Sequence, residues 1–317
     1  MPLIMQDTNS RSHHPNSAPR VVVVGSINTD LVARVQHLPS AGETIPTTGF
    51  ARFSGGKGSN QAIAAARLGQ SVALIARIGD DEHGETARRL LTQEGVSTRA
   101  LRYSEQPTGL AFITVDRNAE NHIVIIPGAN ATLSENDIHG SSDIIRQAVV
   151  VVCQYEVPLV ATLEAARLCR GTFILNPAPA GPVPPELLAL TDVLVVNETE
   201  YLSVFQHPAP QQVDAFTSRA RTQLPPHLRL VVTLGERGAY LWNGQEASSW
   251  LPPSVSVTDT TGAGDTFVGA LADSLANGNS LENAVQWAIA ASALSVQSFG
   301  ATTAMPNQQS VRNLVNP

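Results

Sequence analysis

The chain has 317 residues, 43% of them hydrophobic and 15% charged, with a net charge of −7 and a pI near 5.6. That composition excludes general disorder, and the acidic balance leaves no basic footprint for nucleic acid. No apolar stretch is long enough to span a membrane, so the expected partners are small molecules, with neither membrane nor nucleic acid among them.

Residues 1–19 lack the basic start and apolar core of a signal peptide. A disordered tail is expected there, with His13 and His14 as solvated residues, and a cytoplasmic location. Residues 20–317 are expected to form one α/β domain. VVVVG (21–25) is the first of a series of short apolar runs, followed by VALIA (72–76), VVVVC (149–153), TFIL (172–175), VLVV (193–196) and LVVTL (230–234). Continuous apolar runs of this length fit strands buried on both faces. Helical patterns lie between them at 58–68, 82–94, 134–146, 158–169, 197–205 and 211–223. The alternation predicts a doubly wound, mostly parallel sheet with helices on both faces. Two alanine-rich helices, 264–276 and 281–297, close the chain. Cys153 and Cys169 fall in a strand and a helix respectively and are expected to be reduced thiols. Residues 31–53 and 109–126 carry no helical pattern, and the second reads as a hairpin around DRNAEN. They could pair into a small separate sheet, either a lid or a decorative edge.

Several strand ends carry chemistry-bearing letters. GSINTD (25–30) places Asn28 and Asp30 after the first strand, where open α/β sheets bind ligands. An amide with a carboxylate suits vicinal hydroxyls, although a plain strand-ending turn fits as well. FSGGKGSN (53–60) sets glycines around Lys57 before a helix; Lys57 and Asn60 can serve a polyol, or the segment is a capped surface turn. NPAPA (176–180) follows another strand. In NETE (197–200), Asn197 and Glu200 lie on one helix face and could hold a hydrated Mg²⁺, yet a capping box explains the same letters. TLGERG (233–238) fits a nucleotide-contacting turn or a hairpin.

The sharpest motif is DTTGAGDTFVGA (259–270). Its glycines open a helix, where free N–H groups and the positive helix end favour an anion. Asp265 in the first turn could stabilise the helix dipole or act as a general base, and the turn alone leaves both open. Two familiar patterns are absent. Lys57 is followed by glycine and lacks the spacing of a Walker loop, and Phe267 stands where a dinucleotide fingerprint needs its third glycine.

GGKGSNQAIAAARLG (55–69) and DTTGAGDTFVGA together resemble the two signature regions of the ribokinase-like (PfkB) carbohydrate kinases. GSINTD, AGET, NPAPA, NETE and TLGERG follow the same order over about residues 20–306 and resemble the ribose-specific branch of that family. The resemblance implies phosphorylation of D-ribose at its 5-hydroxyl by Mg-ATP. Its alternatives are deoxyribose, another small sugar or a nucleoside as acceptor, or a non-catalytic sugar-binding regulator. Asp265 would be the base, and Gly262, Ala263 and Gly264 the anion hole. Asn28, Thr29, Asp30, Gly56, Lys57, Gly58, Ser59, Asn60 and Glu156 would hold the sugar, covered by Ala111 and Ile113. ATP would meet Asn197, Thr233, Leu234, Gly235, Glu236, Arg237, Gly238, Gly264 and Asp265, with Glu200 supporting Mg²⁺. A monovalent cation, K⁺ by family habit, would sit by Asp259, Thr261, Ser295, Ser298, Gly300 and Ala304. Ala304 stands where a serine is typical, and Ile289 replaces a polar residue near adenine. The resemblance further implies a homodimer joined through the lid.

Overall fold

The computed structural model describes residues 18–118 and 120–315, so most of the expected tail lies outside the described residues. The chain begins with β1 (Val21–Val24) and turns at once into β2 (Asn28–Arg34) and β3 (Gly49–Gly55). Helix α1 (Lys57–Arg67), β4 (Val72–Gly79), α2 (Glu82–Gln93), β5 (Val96–Ser97) and β6 (Leu101–Ser104) follow. The hairpin β7 (Gly109–Val115) and β8 (Asn121–Ile126) leads to α3 (Glu135–His139) and α4 (Ser142–Gln147). Strand–helix alternation then resumes with β9 (Val150–Gln154), α5 (Leu159–Leu168), β10 (Thr172–Asn176), α6 (Pro185–Ala189), β11 (Val193–Asn197), α7 (Glu198–Phe205), α8 (Val213–Gln223) and β12 (Arg229–Thr233). The edge strands β13 (Ala239–Trp242) and β14 (Ala247–Trp250) precede α9 (Ala263–Ala276), α10 (Leu281–Ser295), α11 (Ala301–Ala304) and α12 (Gln308–Val315).

The main sheet runs β14-β13-β12-β11-β10-β9-β1-β4-β5, with β6 also paired to β4. Pairing is parallel from β12 across to β5, and antiparallel only at β12–β13 and β13–β14. Alternate residues of β1 enter opposite layers. Val21 and Val23 belong to the core layer that holds α1, α9 and α10, whereas Val22 and Val24 belong to the opposite layer, which holds α5 and α8. This is the period-two logic of a strand covered on both faces, and it accounts for the unbroken apolar run. The chain leaves β1 towards β4 and later returns to its other side at β9, which puts the topological switch point at the carboxyl end of β1.

The second sheet has the order β3-β2-β7-β8. Both helix-free stretches therefore do form one small sheet, starting earlier than the sequence implied. Asn28 and Asp30 do not end the first strand: β1 stops at Val24, and both residues belong to β2, one of the two inner strands of this second sheet. The single helix predicted over 134–146 is divided in two, because a Ser134–Asp137 capping box starts α3 and Gly140–Ser141 interrupts it. Cys153 is buried, Cys169 is partly buried, and both are free thiols. No described helix is long and apolar enough to cross a membrane.

Candidate active site

The carboxyl ends of β10, β11 and β12 meet the start of α9 around a cavity of about 210 Å³. Its walls include Lys57, Asn176, Asn197, Glu200, Thr233, Gly262, Gly264 and Asp265. The turn opening α9 explains its glycines separately. Gly262 holds a positive φ of 77°, and a Cβ there would meet the backbone of Ala301 at 2.8 Å. A Cβ on Gly264 would meet nothing within 4 Å. Gly262 is therefore required by the fold, while Gly264 opens on empty space at a helix N-terminus, the setting that favours an anion.

Asp265 is buried, 8% exposed, with one donor on each oxygen. Asn60 Nδ2 donates to Oδ2 at 2.9 Å and Gln61 Nε2 to Oδ1 at 3.0 Å. Further lone pairs on both oxygens can still accept from a ligand hydroxyl. Asn60 Oδ1 is buried without a hydrogen-bond partner among the described residues, an orphan acceptor beside the carboxylate. Both donors come from α1, which Gly58 allows to lie against β1. A Cβ at Gly58 would fall 2.5 Å from Ser26 N and 2.6 Å from the carbonyl carbon of Gly25.

The remaining carboxylates surround Lys57. Glu156 Oε2 accepts from Lys57 N at 2.9 Å and from Ser26 Oγ, tying the glycine turn to the end of β1. The Lys57 ammonium is held above its usual pKa by Asp265 against the cost of burial, with help from Glu156, Glu200 and Asp30. Burial pushes the Asp30 carboxyl up to about 6, and the negative charges of Glu156 and Asp265 push the same way. Burial also raises Glu200, against the opposing Asn197 N–H and Lys57. One ammonium among four carboxylates leaves a surplus of negative charge, which suits a nucleotide arriving with a divalent cation.

Asn28 Oδ1 accepts from Asn130 Nδ2 at 2.7 Å, which leaves the Asn28 amide N–H groups to donate. Asn130 also brackets Ile27, accepting from its N at 2.9 Å and donating to its O at 3.0 Å. Register puts Ala111 opposite Asp30 and Ile113 opposite Val32, so all four share the face of the small sheet that carries Asp30. Thr29 lies on the other face, lining a separate cavity of about 200 Å³ with Arg52, Ser54, Glu82 and His83. Ser59 is fully buried, and its hydroxyl finds no partner among the described residues.

On the far side of the cavity, Asn197 and Glu200 form a complete capping box: Asn197 Oδ1 accepts from Glu200 N at 2.8 Å, and Glu200 Oε2 accepts from Asn197 N at 2.9 Å. Glu200 still lines the cavity. Thr233 ends β12, and Gly235–Arg237 is a single 3-10 turn into β13, followed by Gly238. Leu234 is buried in the core, Glu236 is exposed, and Arg237 pairs with Glu198 at 2.6 Å. Ile289 is also buried, 6% exposed.

A model of the pfkB family carbohydrate kinases matches residues 18–308. The chain belongs to that family. The ribokinase of Haemophilus influenzae is 36% identical over 293 residues, covering 91% of this chain and 96% of its own length. A bifunctional ribokinase/ribose-5-phosphate isomerase A of Fructilactobacillus sanfranciscensis is 33% identical over 304 residues, and this chain spans only 56% of its length. The structure of Arabidopsis thaliana ribokinase complexed with ribose and ATP superposes with a TM-score of 0.85 at 32% identity, covering 95% of this chain and all of that one.

The loop beside the α9 turn carries the residues expected to hold a monovalent cation. Asp259 Oδ1 accepts from Thr261 N and Oγ1 at 2.9 and 2.7 Å, and Oδ2 accepts from Gly300 N at 2.8 Å. Despite burial, these hydrogen bonds hold the Asp259 carboxyl below its usual pKa, so it is a carboxylate at neutral pH. It staples the α9 turn to the 298–300 loop. The Ser295 hydroxyl is committed to Ser292 O at 2.8 Å, and Ala304 has no side-chain oxygen. A cation here would rest on Asp259 and backbone carbonyls, a hard-oxygen set that fits an alkali ion. Three residues of this site escaped the sequence reading: Gln61, Asn130 and Gln154. Their signal was faint, since an amide inside a helix, turn or strand end looks like ordinary polar surface.

Proposed function

We propose that the chain transfers the γ-phosphoryl group of Mg-ATP to the 5-hydroxyl of D-ribose. The observation that carries this reading is Asp265, held by Asn60 and Gln61 in the first turn of α9 beside the open face of Gly264. The acceptor hydroxyl would donate to Asp265, while Asn28, Asp30, Lys57, Asn60 and Glu156 orient the rest of the sugar. The N–H groups of Gly262 and Gly264 would face the charge that develops on the transferring phosphoryl oxygens, whereas the Ala263 N–H, also expected there, is committed to Thr260 O at 3.2 Å. Glu200 with Asn197 would hold the water shell of the Mg²⁺ that arrives with ATP, whose charge would offset that of the phosphates. Positioning and electrostatics do most of the work in phosphoryl transfer, so an aspartate suffices as the base. Asn197 and Thr233 line the cavity where the nucleotide would lie, and the 235–238 turn that follows Thr233 would meet it from the same side. Closure of the small sheet, with Ala111 and Ile113 over the sugar, excludes water from the reacting phosphoryl group.

The similarity to ribokinases over nearly the whole chain supports ribose as the acceptor. K⁺ at the Asp259 loop, a cytoplasmic location and a homodimer through the small sheet belong to the same reading. The test is ADP release with Mg-ATP and K⁺ across ribose, 2-deoxyribose, fructose, adenosine and no sugar. Strong preference for ribose is the expected result; preference for another acceptor keeps the chemistry and changes the substrate. Asp265→Asn is expected to lower kcat by about 10²–10⁴-fold with sugar affinity nearly unchanged. An equal loss of sugar binding would refute its assignment as the base.

A further inference from the structure

Asp265 reaches the rest of the molecule through a run of buried amides. Gln61 and Gln154 are both fully buried. Gln61 Nε2 donates to Asp265 Oδ1 at 3.0 Å and to Asn176 Oδ1 at 3.1 Å, which uses both of its hydrogens. Gln61 Oε1 accepts from Gln154 Nε2 at 2.6 Å. Asn176 in turn donates to Val195 O at 3.1 Å and to Glu200 Oε2 at 3.4 Å. The run therefore connects the carboxylate that meets the sugar with the capping box on the nucleotide side.

The direction of this run is chemically constrained. The two ends of a glutamine amide have nearly the same size, so packing alone does not choose between them. With Gln61 turned over, its carbonyl oxygen would face the Asp265 carboxylate and Asn176 Oδ1, three acceptors together with no proton between them. Gln154 prevents that by presenting a donor to Gln61 Oε1. Gln154's own amide is held by that bond, the one its side chain makes among the described residues. Its Oε1 is buried, has no hydrogen-bond partner among the described residues, and lies against Gly25. A Cβ at Gly25 would fall 2.2 Å from that oxygen. The fold leaves an acceptor unpaired and keeps a glycine beside it, and the outcome is a donor aimed at Gln61.

We propose that Gln61 is a positioning residue that aims the Asp265 carboxylate at the acceptor hydroxyl, and that Gln154 acts on turnover only through Gln61 by fixing which end of its amide faces Asp265. The proposal rests on Asp265 acting as the base. It does not place Gln61 or Gln154 against substrate, and therefore assigns them an effect on kcat without one on KM.

The experiment is a double-mutant cycle on the full chain, with kcat and KM for ribose and ATP and the melting temperature measured for each variant. Gln61→Met keeps the volume and removes the donor; kcat is expected to fall by about 30–100-fold, the scale of a misplaced reacting group. Gln154→Met is expected to cost about fivefold in the wild-type background and nothing when Gln61→Met is already present. Both KM values should stay within about threefold, because neither side chain touches substrate. Gln154→Glu supplies a second readout with Gln61 in place. Its carboxylate would draw Gln61 Nε2 away from Asp265, so kcat should fall well below that of Gln154→Met at unchanged KM. Equal factors for Gln154→Met in both backgrounds, or KM rising in step with the fall in kcat, would overturn the proposal while leaving the kinase reading intact. A wild-type chain with no sugar-dependent ADP release would overturn both.

Discussion

Gly264 separates what the fold needs from what the chemistry needs. Because its missing Cβ would meet no protein atom, Gly264→Ala should fold as well as the wild type, or up to about 1 kcal/mol better from alanine's helix preference. Its kcat should nevertheless fall at least about tenfold, since the methyl group stands where the transferring phosphoryl oxygens would come. Denaturant titration together with kinetics checks this, and unchanged kcat would remove the anion hole from the 262–264 turn. Asp30 gives a pH signature. Its carboxyl goes from the usual 3.8 to about 6 in the folded chain, so the folded state takes up the proton first. Ionised Asp30 therefore destabilises the fold above pH 6, and this penalty fades as pH falls towards 4. Asp30→Asn should stabilise the chain by about 1–2 kcal/mol at pH 8, allowing for partial solvent screening, with no gain at pH 4. For the wild type, kcat/KM for sugar should decline below about pH 6 as Asp30 loses its charge; in Asp30→Asn that limb should be missing. Asp265, Lys57 and Asn60 were legible in the sequence because glycines mark their turns. Gln61 and Gln154 were not, because their meaning lies in a contact between residues 93 positions apart.

The alanine-rich character of α1 and α9 was visible in the sequence, and close packing is its consequence. Gly269 lies where the two helices touch: a Cβ there would fall 2.5 Å from Ala64 Cβ and 2.7 Å from Gln61 O. Gly269→Ala should thus destabilise by about 1–3 kcal/mol by prising α9 from α1, read as a lower denaturant midpoint at constant m. The same displacement separates Asp265 from Asn60 and Gln61, so activity should fall even where the chain remains folded. An alanine accepted without loss of stability would show that the two helices can move apart freely. The central strands were readable because burial on both faces leaves only apolar letters. β5, β6, β13 and β14 were missed: they have two to four residues each, and β14 reads ASSW, a half-exposed edge with no alternation strong enough to register. NETE shows a different limit. The capping box is present, and the same Glu200 lines the cavity, so the structural and functional readings of those letters do not compete.

For the molecule as a whole, the small sheet poses the remaining question, because it shows solvent a row of large apolar side chains. Every residue of β8 is exposed, and Ile123, Val124, Ile125 and Ile126 are 41–63% accessible. Phe112 on β7, opposite Val124, is 45% accessible, and Phe50 on β3 is 63% accessible. β8 is also an edge strand with unpaired backbone groups along one side, the feature that invites another strand or sheet. Sugar would be held by β2 in the middle of this same sheet, so whatever covers the edge also stiffens the wall of the site. A second copy of the chain, proposed above, would meet both demands with the two small sheets packed together. Val124→Asp combined with Ile126→Asp puts charge on that surface without touching the main sheet. Sedimentation should then show a wild-type dimer become a monomer at micromolar concentration, with KM for the sugar raised roughly threefold or more as the lid loosens. KM for ATP should stay as it was, because the nucleotide side is built from the main sheet. A wild-type chain that sediments as a monomer at every concentration would rule out the dimer and leave the apolar lid to be covered by closure over the sugar alone.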